Sequence, residues 1–196
     1  MEILFLRHGK TQANLEYRYS GGGTDDPLCP EGIEALKPLD TFFPAEKIYA
    51  SPMKRTLMTA ELCFPGCSPV ITEGFREMDF GEFEGKNAKE LENDGHYKEW
   101  VDSNCTLPCP KGESIGSFSE RVCVAFEEVI SHANENRIAI VTHGGTIMAI
   151  LSRFAEEKRE YFEWLAKNGG GYIAFADTSG DELILKNIRA FGKDDV

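Results

Sequence analysis

Residues 137–142 read Arg-Ile-Ala-Ile-Val-Thr, and His143-Gly144-Gly145 follow at once. Successive strand side chains point to opposite faces, so four apolar residues in a row make both faces apolar. A strand of that kind belongs at the centre of a parallel sheet with helices above and below. Residues 2–6 form a similar apolar run, and residues 46–50 end in Ile48-Tyr49-Ala50. Helical stretches fall between these runs. Ser51-Pro52 supplies an N-cap and a first-turn proline for a helix through about residue 62. Ser117 and Glu120 have capping-box spacing, and Phe118, Val122, Ala125, Val129 and Ile130 share one helical face. A further helix is expected over about 145–154. Residues 172–176 and 182–188 flank the turn Asp177-Thr178-Ser179-Gly180-Asp181 and should pair as a hairpin. That acidic turn lacks the full ligand series of a calcium loop.

Alternating strands and helices predict an α/β fold: three layers, with a mostly parallel sheet and helices on both faces. The stretch 76–112 is charged and contains Gly and Pro. It reads as a small, partly helical cap insertion. The 196 residues are therefore expected to form one domain.

The formal charge is −12, from 21 Lys+Arg against 33 Asp+Glu. That balance argues against nucleic-acid or anionic-membrane partners, so an anionic substrate needs a local basic pocket. No run approaches the ~20 apolar residues of a membrane span. The N-terminus lacks a basic leader and reads as a strand, not a signal peptide. The six cysteines then read as free thiols of a cytoplasmic protein. Zinc ligands prefer tighter and more regular spacing than Cys63/Cys67 and Cys105/Cys109, so no metal site is expected.

The chemistry lies where the strands end. The first strand runs into Arg7-His8-Gly9, the 137–142 strand into His143-Gly144-Gly145, and the 46–50 strand into the helix that carries Arg55. In open α/β sheets, ligands sit beyond the carboxyl ends of the strands. Two arginines and two histidines delivered there suit a phosphoryl group. Guanidinium forks match phosphate oxygens, and neutral imidazole can attack phosphorus. A purely structural role for Arg7 would leave a buried, unpaired charge. Arg55 taken singly could be an exposed helix residue, and His143 taken singly could be structural. Gly21-Gly22-Gly23 is no P-loop and reads as a flexible loop near the pocket mouth. Gly169–Gly171 reads as a helix end before the last hairpin.

Arg7-His8-Gly9-Lys10-Thr11-Gln12-Ala13-Asn14 resembles the signature of the histidine phosphatase superfamily, the phosphoglycerate mutase-like group. Ser51 to Ala60 is similar to its second motif, and Arg76-Glu77-Met78-Asp79-Phe80-Gly81 to the segment bearing its acid. Thr142-His143-Gly144-Gly145 is similar to its fourth motif. The resemblance implies a phosphoglycerate mutase-like fold and a cofactor-free reaction on a small-molecule phosphate ester, with no metal. It implies that His8 becomes phosphohistidine, while Arg7, Arg55 and His143, with Asn14, hold phosphate oxygens. Glu77 is implied as the acid that later activates water. Asp79 and Glu82 are nearby rivals that composition does not separate from Glu77. Lys10 departs from the usual motif.

Arg18-Tyr19-Ser20-Gly21, Asp79 to Gly85, Gly112-Glu113-Ser114 and Asn168 to Tyr172 resemble the α-ribazole-5′-phosphate phosphatases within this superfamily. Arg18, Ser20, Gly21 and Gly144 are thereby candidate substrate contacts. Phe80, Phe83, Tyr97 and Trp100 could stack on a base or simply form cap core. Broad-specificity sugar-phosphate phosphatases share these motifs. A phosphoglycerate mutase is a further alternative, although the chain is short for one. A degenerate phosphate-binding module is the non-enzymatic alternative, but His8 and Glu77 are both retained.

Overall fold

The computed structural model describes residues 1–180 and 182–192. Six strands form one sheet: β1 (Glu2–Arg7), β2 (Lys47–Ala50), β3 (Val70–Ile71), β4 (Arg137–Thr142), β5 (Gly171–Asp177) and β6 (Ile184–Phe191), in the order β3-β2-β4-β1-β5-β6. β4 lies between β2 and β1 and pairs in parallel with both, as its two-sided apolar run requires. β5 runs antiparallel to β1, and β6 antiparallel to β5.

The helices are α1 (Gln12–Leu15), α2 (Pro30–Glu34), α3 (Lys54–Cys63), α4 (Gly95–Asp102), α5 (Ile115–His132) and α6 (Gly144–Phe154). Ile3 and Phe5 join one core with Phe118, Phe126 and Ile147, from α5 and α6. Leu4 and Leu6 face the other way and pack with Ala60 and Cys63 of α3. Ile3, Leu4, Phe5 and Leu6 are fully buried, each contributing roughly 1.5–3 kcal/mol. The result is the three-layer α/β arrangement.

Several local expectations are corrected. α3 begins at Lys54 with Met53 as its N-cap, not at Ser51-Pro52. Ser51 is drawn instead into a side-chain hydrogen bond with His143. α5 starts three residues before the Ser117–Glu120 pairing suggested: Ser114 is the N-cap, and Ser117 closes the box. The segment before β5 is a 3₁₀ turn, Tyr161–Trp164, so Gly169–Gly171 does not end an α-helix. The second hairpin strand runs over Ile184–Phe191 rather than 182–188. Asp181, in the predicted turn, lies outside the described residues.

Residues 76–112 hold a 3₁₀ turn at Gly81–Phe83 and the helix α4. Phe83, Leu91, Tyr97 and Trp100 are buried in the same core as Ile3 and Phe118. All six cysteines are free thiols. Among the described residues no helix is long and apolar enough to cross a membrane.

Candidate active site

Sheet register brings the two histidines together. Arg7 pairs with Thr142 across β1 and β4, so the residues that follow leave the sheet side by side. The His8 amide then donates to the Thr142 carbonyl at 2.9 Å. The two rings lie edge to face, with centroids 5.3 Å apart. β2 pairs with the other edge of β4, Ala50 opposite Val141, and this delivers Ser51 to the same rim.

Each ring has a defined tautomer. His8 Nδ1 lies 2.6 Å from the Gly9 carbonyl. A carbonyl only accepts, so Nδ1 carries the hydrogen and Nε2 keeps its lone pair. His143 Nδ1 accepts from Arg55 Nε at 3.3 Å, which leaves Nε2 to donate to Ser51 Oγ at 2.8 Å. Burial, then Arg55, holds both imidazoles well below the ordinary histidine range. Both are therefore neutral near pH 7.

Arg55 is fully buried, against the reading of it as an exposed helix residue. Nη1 donates to the Thr24 carbonyl at 2.9 Å and Nη2 to the Gly21 carbonyl at 3.0 Å. With the bond to His143, three of its five N–H groups are used. Arg7 donates from Nη1 to the Ala166 carbonyl at 2.7 Å, but its buried Nε has no partner among the described residues. An orphaned guanidinium donor at this place suits an incoming oxygen.

Glu77 lies near enough to Arg7 and Arg55 for its charge to act on both. Thr142 and Thr146 both donate to the Phe75 carbonyl, fixing the 3₁₀ turn Glu73–Phe75 that precedes Glu77. Its carboxylate accepts from the Gly145 amide at 3.0 Å and the Met78 amide at 3.0 Å. A Cβ at Gly145 would overlap Glu77 Oε1, so any larger residue here would displace the carboxylate. Burial raises the Glu77 pKa, although the two amides, Arg55 and Arg7 pull the other way. The rivals are engaged elsewhere. Asp79 Oδ1 accepts from the Gly81 amide, and exposed Glu82 pairs with Lys111 at 2.7 Å.

A cavity of about 330 Å³ is lined in part by Arg7, Asn14, Arg18, Ser20, Glu77 and Gly144, while His8, Arg55 and His143 lie behind this lining. That size suits a small-molecule ligand. Asn14 Oδ1 accepts from Thr11 and Asn168, which turns its amide group as a unit. Gly144 sits against Arg7, whose Cζ would be 3.3 Å from an added Cβ. Gly21 does not line the cavity. Its amide and that of Gly23 both donate to Glu84, so the three-glycine loop is tied down rather than free. Lys10 is exposed and outside the lining. Ser51 and Thr59, which accepts from the Gly9 amide, support the site without having been singled out for it.

The family described as the histidine phosphatase superfamily, branch 1, matches residues 3–185. This chain is a member of the histidine phosphatase superfamily. Membership brings phosphoryl chemistry of the phosphatase or mutase kind. A Hydrogenobacter thermophilus relative, provisionally named phosphoserine phosphatase 2, is 34% identical over 160 residues, covering 77% of each chain. A phosphoglycerate mutase structure from Thermus thermophilus is 30% identical. It superposes with a TM-score of 0.71 over 97% of this chain and 99% of that one. The α-ribazole phosphatase of Shigella flexneri superposes with a TM-score of 0.82 over 98% and 96%; at 24% identity it shows the shared fold.

Proposed function

We propose that this member of the superfamily hydrolyses phosphate monoesters through a phosphohistidine on His8. The observation that carries the reading is the free Nε2 of His8 beside His143, Arg55 and Arg7, whose Nε is unpartnered, with a protonatable Glu77 that feels both arginines. In the first step the His8 Nε2 lone pair attacks phosphorus and the P–O ester bond breaks. The departing oxygen takes the proton of Glu77. In the second step water attacks phosphorus and gives its proton to the Glu77 carboxylate. The P–N bond breaks, and its electrons return to Nε2. One carboxyl group thus serves as acid and then base.

Arg7 and Arg55 neutralise the phosphoryl oxygens, which supplies most of the catalysis in such transfers. A ligand oxygen takes over the Arg55 Nε–H from its long contact with His143. Asn14 and the Gly144 amide, at the start of α6, complete the cradle. On this reading the chain is one histidine phosphatase domain, capped by residues 76–112.

Within this class, α-ribazole 5′-phosphate is the substrate we favour. The motifs around Arg18 and Asp79 and the aromatic side chains beside the cavity support it. Release of p-nitrophenol from p-nitrophenyl phosphate, with and without EDTA, tests the chemistry. The expected result is equal turnover in both; dependence on added metal would contradict it. Interconversion of phosphoglycerates stimulated by a bisphosphoglycerate would favour the mutase instead.

A further inference from the structure

Among the described residues only three charged side chains line the cavity: Arg7, Glu77 and Arg18. The first two belong to the phosphate end. Arg18 is thus the one lining cation that could meet an anionic group elsewhere on a substrate, and two carboxylates already offset its charge. Nε donates to Glu16 Oε2 at 2.6 Å, and Nη1 donates to Glu90 Oε2 at 2.6 Å and to the Gly85 carbonyl at 2.7 Å. One guanidinium between two carboxylates makes that corner net negative.

The rest of the wall is mainly apolar. Tyr19, Phe80, Trp100, Phe118, Tyr161 and Phe162 all contribute to it. Phe162 and Leu165 leave 54% and 53% of their surface exposed, so internal packing alone does not account for them. The indole N–H of Trp100 is buried without a partner among the described residues.

The geometry points to the Glu16–Arg18–Glu90 cluster as a specificity-determining device that turns away carboxylate-bearing phosphate esters and leaves the cavity to esters of uncharged, apolar alcohols. The inference rests on the phosphatase reading above. A substrate carboxylate entering here would lose water against aromatic walls and meet a cation already offset by two carboxylates, which is costly. An uncharged apolar alcohol gains instead from burial and ring contacts. Phosphoserine and phosphoglycerates, named for relatives of this chain, would both be poor substrates on this account.

The test compares kcat/KM for 2-phenylethyl phosphate, glycerol 3-phosphate and 3-phosphoglycerate. All three release alkyl oxygens, and the last two differ by a hydroxymethyl against a carboxylate. The expected order is as written, with the first exceeding the last by more than about tenfold. The double variant Glu16→Gln, Glu90→Gln frees the Arg18 charge. It should raise kcat/KM for 3-phosphoglycerate by roughly fivefold, the size of one screened charge contact, and leave the other two unchanged. Equal rates for glycerol 3-phosphate and 3-phosphoglycerate in the wild type, or a double variant that shifts all three alike, would overturn the inference. No hydrolysis of any ester, p-nitrophenyl phosphate included, would overturn the phosphatase reading and this inference with it.

Discussion

Gly145 shows how closely the acid is fitted at the scale of single residues. Its missing Cβ leaves room for Glu77 Oε1, while its amide binds the other carboxylate oxygen. Glu77→Gln keeps the shape and removes the proton. We predict that the variant loses ~10²–10⁴ in kcat/KM on alkyl phosphates and much less on p-nitrophenyl phosphate, whose oxygen departs without help. Equal losses on both esters would remove Glu77 from the acid role. The pH dependence has a definite sign. His8 must be neutral, and burial beside Arg55 and Arg7 holds its pKa down. Activity should therefore persist below the ~6.5 of an ordinary histidine. Glu77 must begin protonated, and burial raises its pKa, so kcat/KM should fall as pH rises through that value. A pH–rate profile of the wild type beside Glu77→Gln checks this; an unchanged alkaline limb in the variant would contradict it. His8, Arg7, Arg55 and His143 were legible because each follows a recognisable strand. Ser51 was not: Ser-Pro before a helix is a good cap pattern, and only β4 pairing shows that His143 claims the hydroxyl.

Between elements, Arg121 of α5 holds the acid-bearing segment in place. Nη1 donates to the carbonyls of Gly74 and Arg76, while Nε and Nη2 grip Glu113. Glu113 in turn accepts from the Asp79 amide. The segment is thus clamped on both sides of Glu77. Arg121 is a positioning residue, and Arg121→Ala should lower kcat/KM on alkyl esters by roughly ten- to hundredfold. p-Nitrophenyl phosphate should suffer less. A lower Tm with the same loss on both esters would reduce Arg121 to a structural role. Helix existence was legible from apolar period, as the buried Phe118–Val122–Phe126–Val129 face shows. Helix starts were not. Ser114 and Ser117 are both good caps, and the structure uses each to satisfy the other.

At the scale of the whole molecule, a single register makes the site. Parallel pairing of β1 with β4 and of β4 with β2 places three strand ends on one edge, and α6 starts there. Strand type and helix alternation carried that much, because two-sided apolar runs admit few other folds. The contacts that shape the rest are long in sequence. Glu84 tethers the Gly21–Gly23 loop, and Asn168 ties Asn14 to the His8 carbonyl. No local pattern announces such pairs. The account stands on covalent chemistry at one nitrogen, and trapping that species tests it most directly. Acid-free quenching of enzyme mixed with a slowly hydrolysed phosphate ester, followed by peptide mass spectrometry, should place one phosphoryl group on His8 and none in folded His8→Ala. A phosphoryl group on any other residue, or turnover retained by His8→Ala, would contradict it.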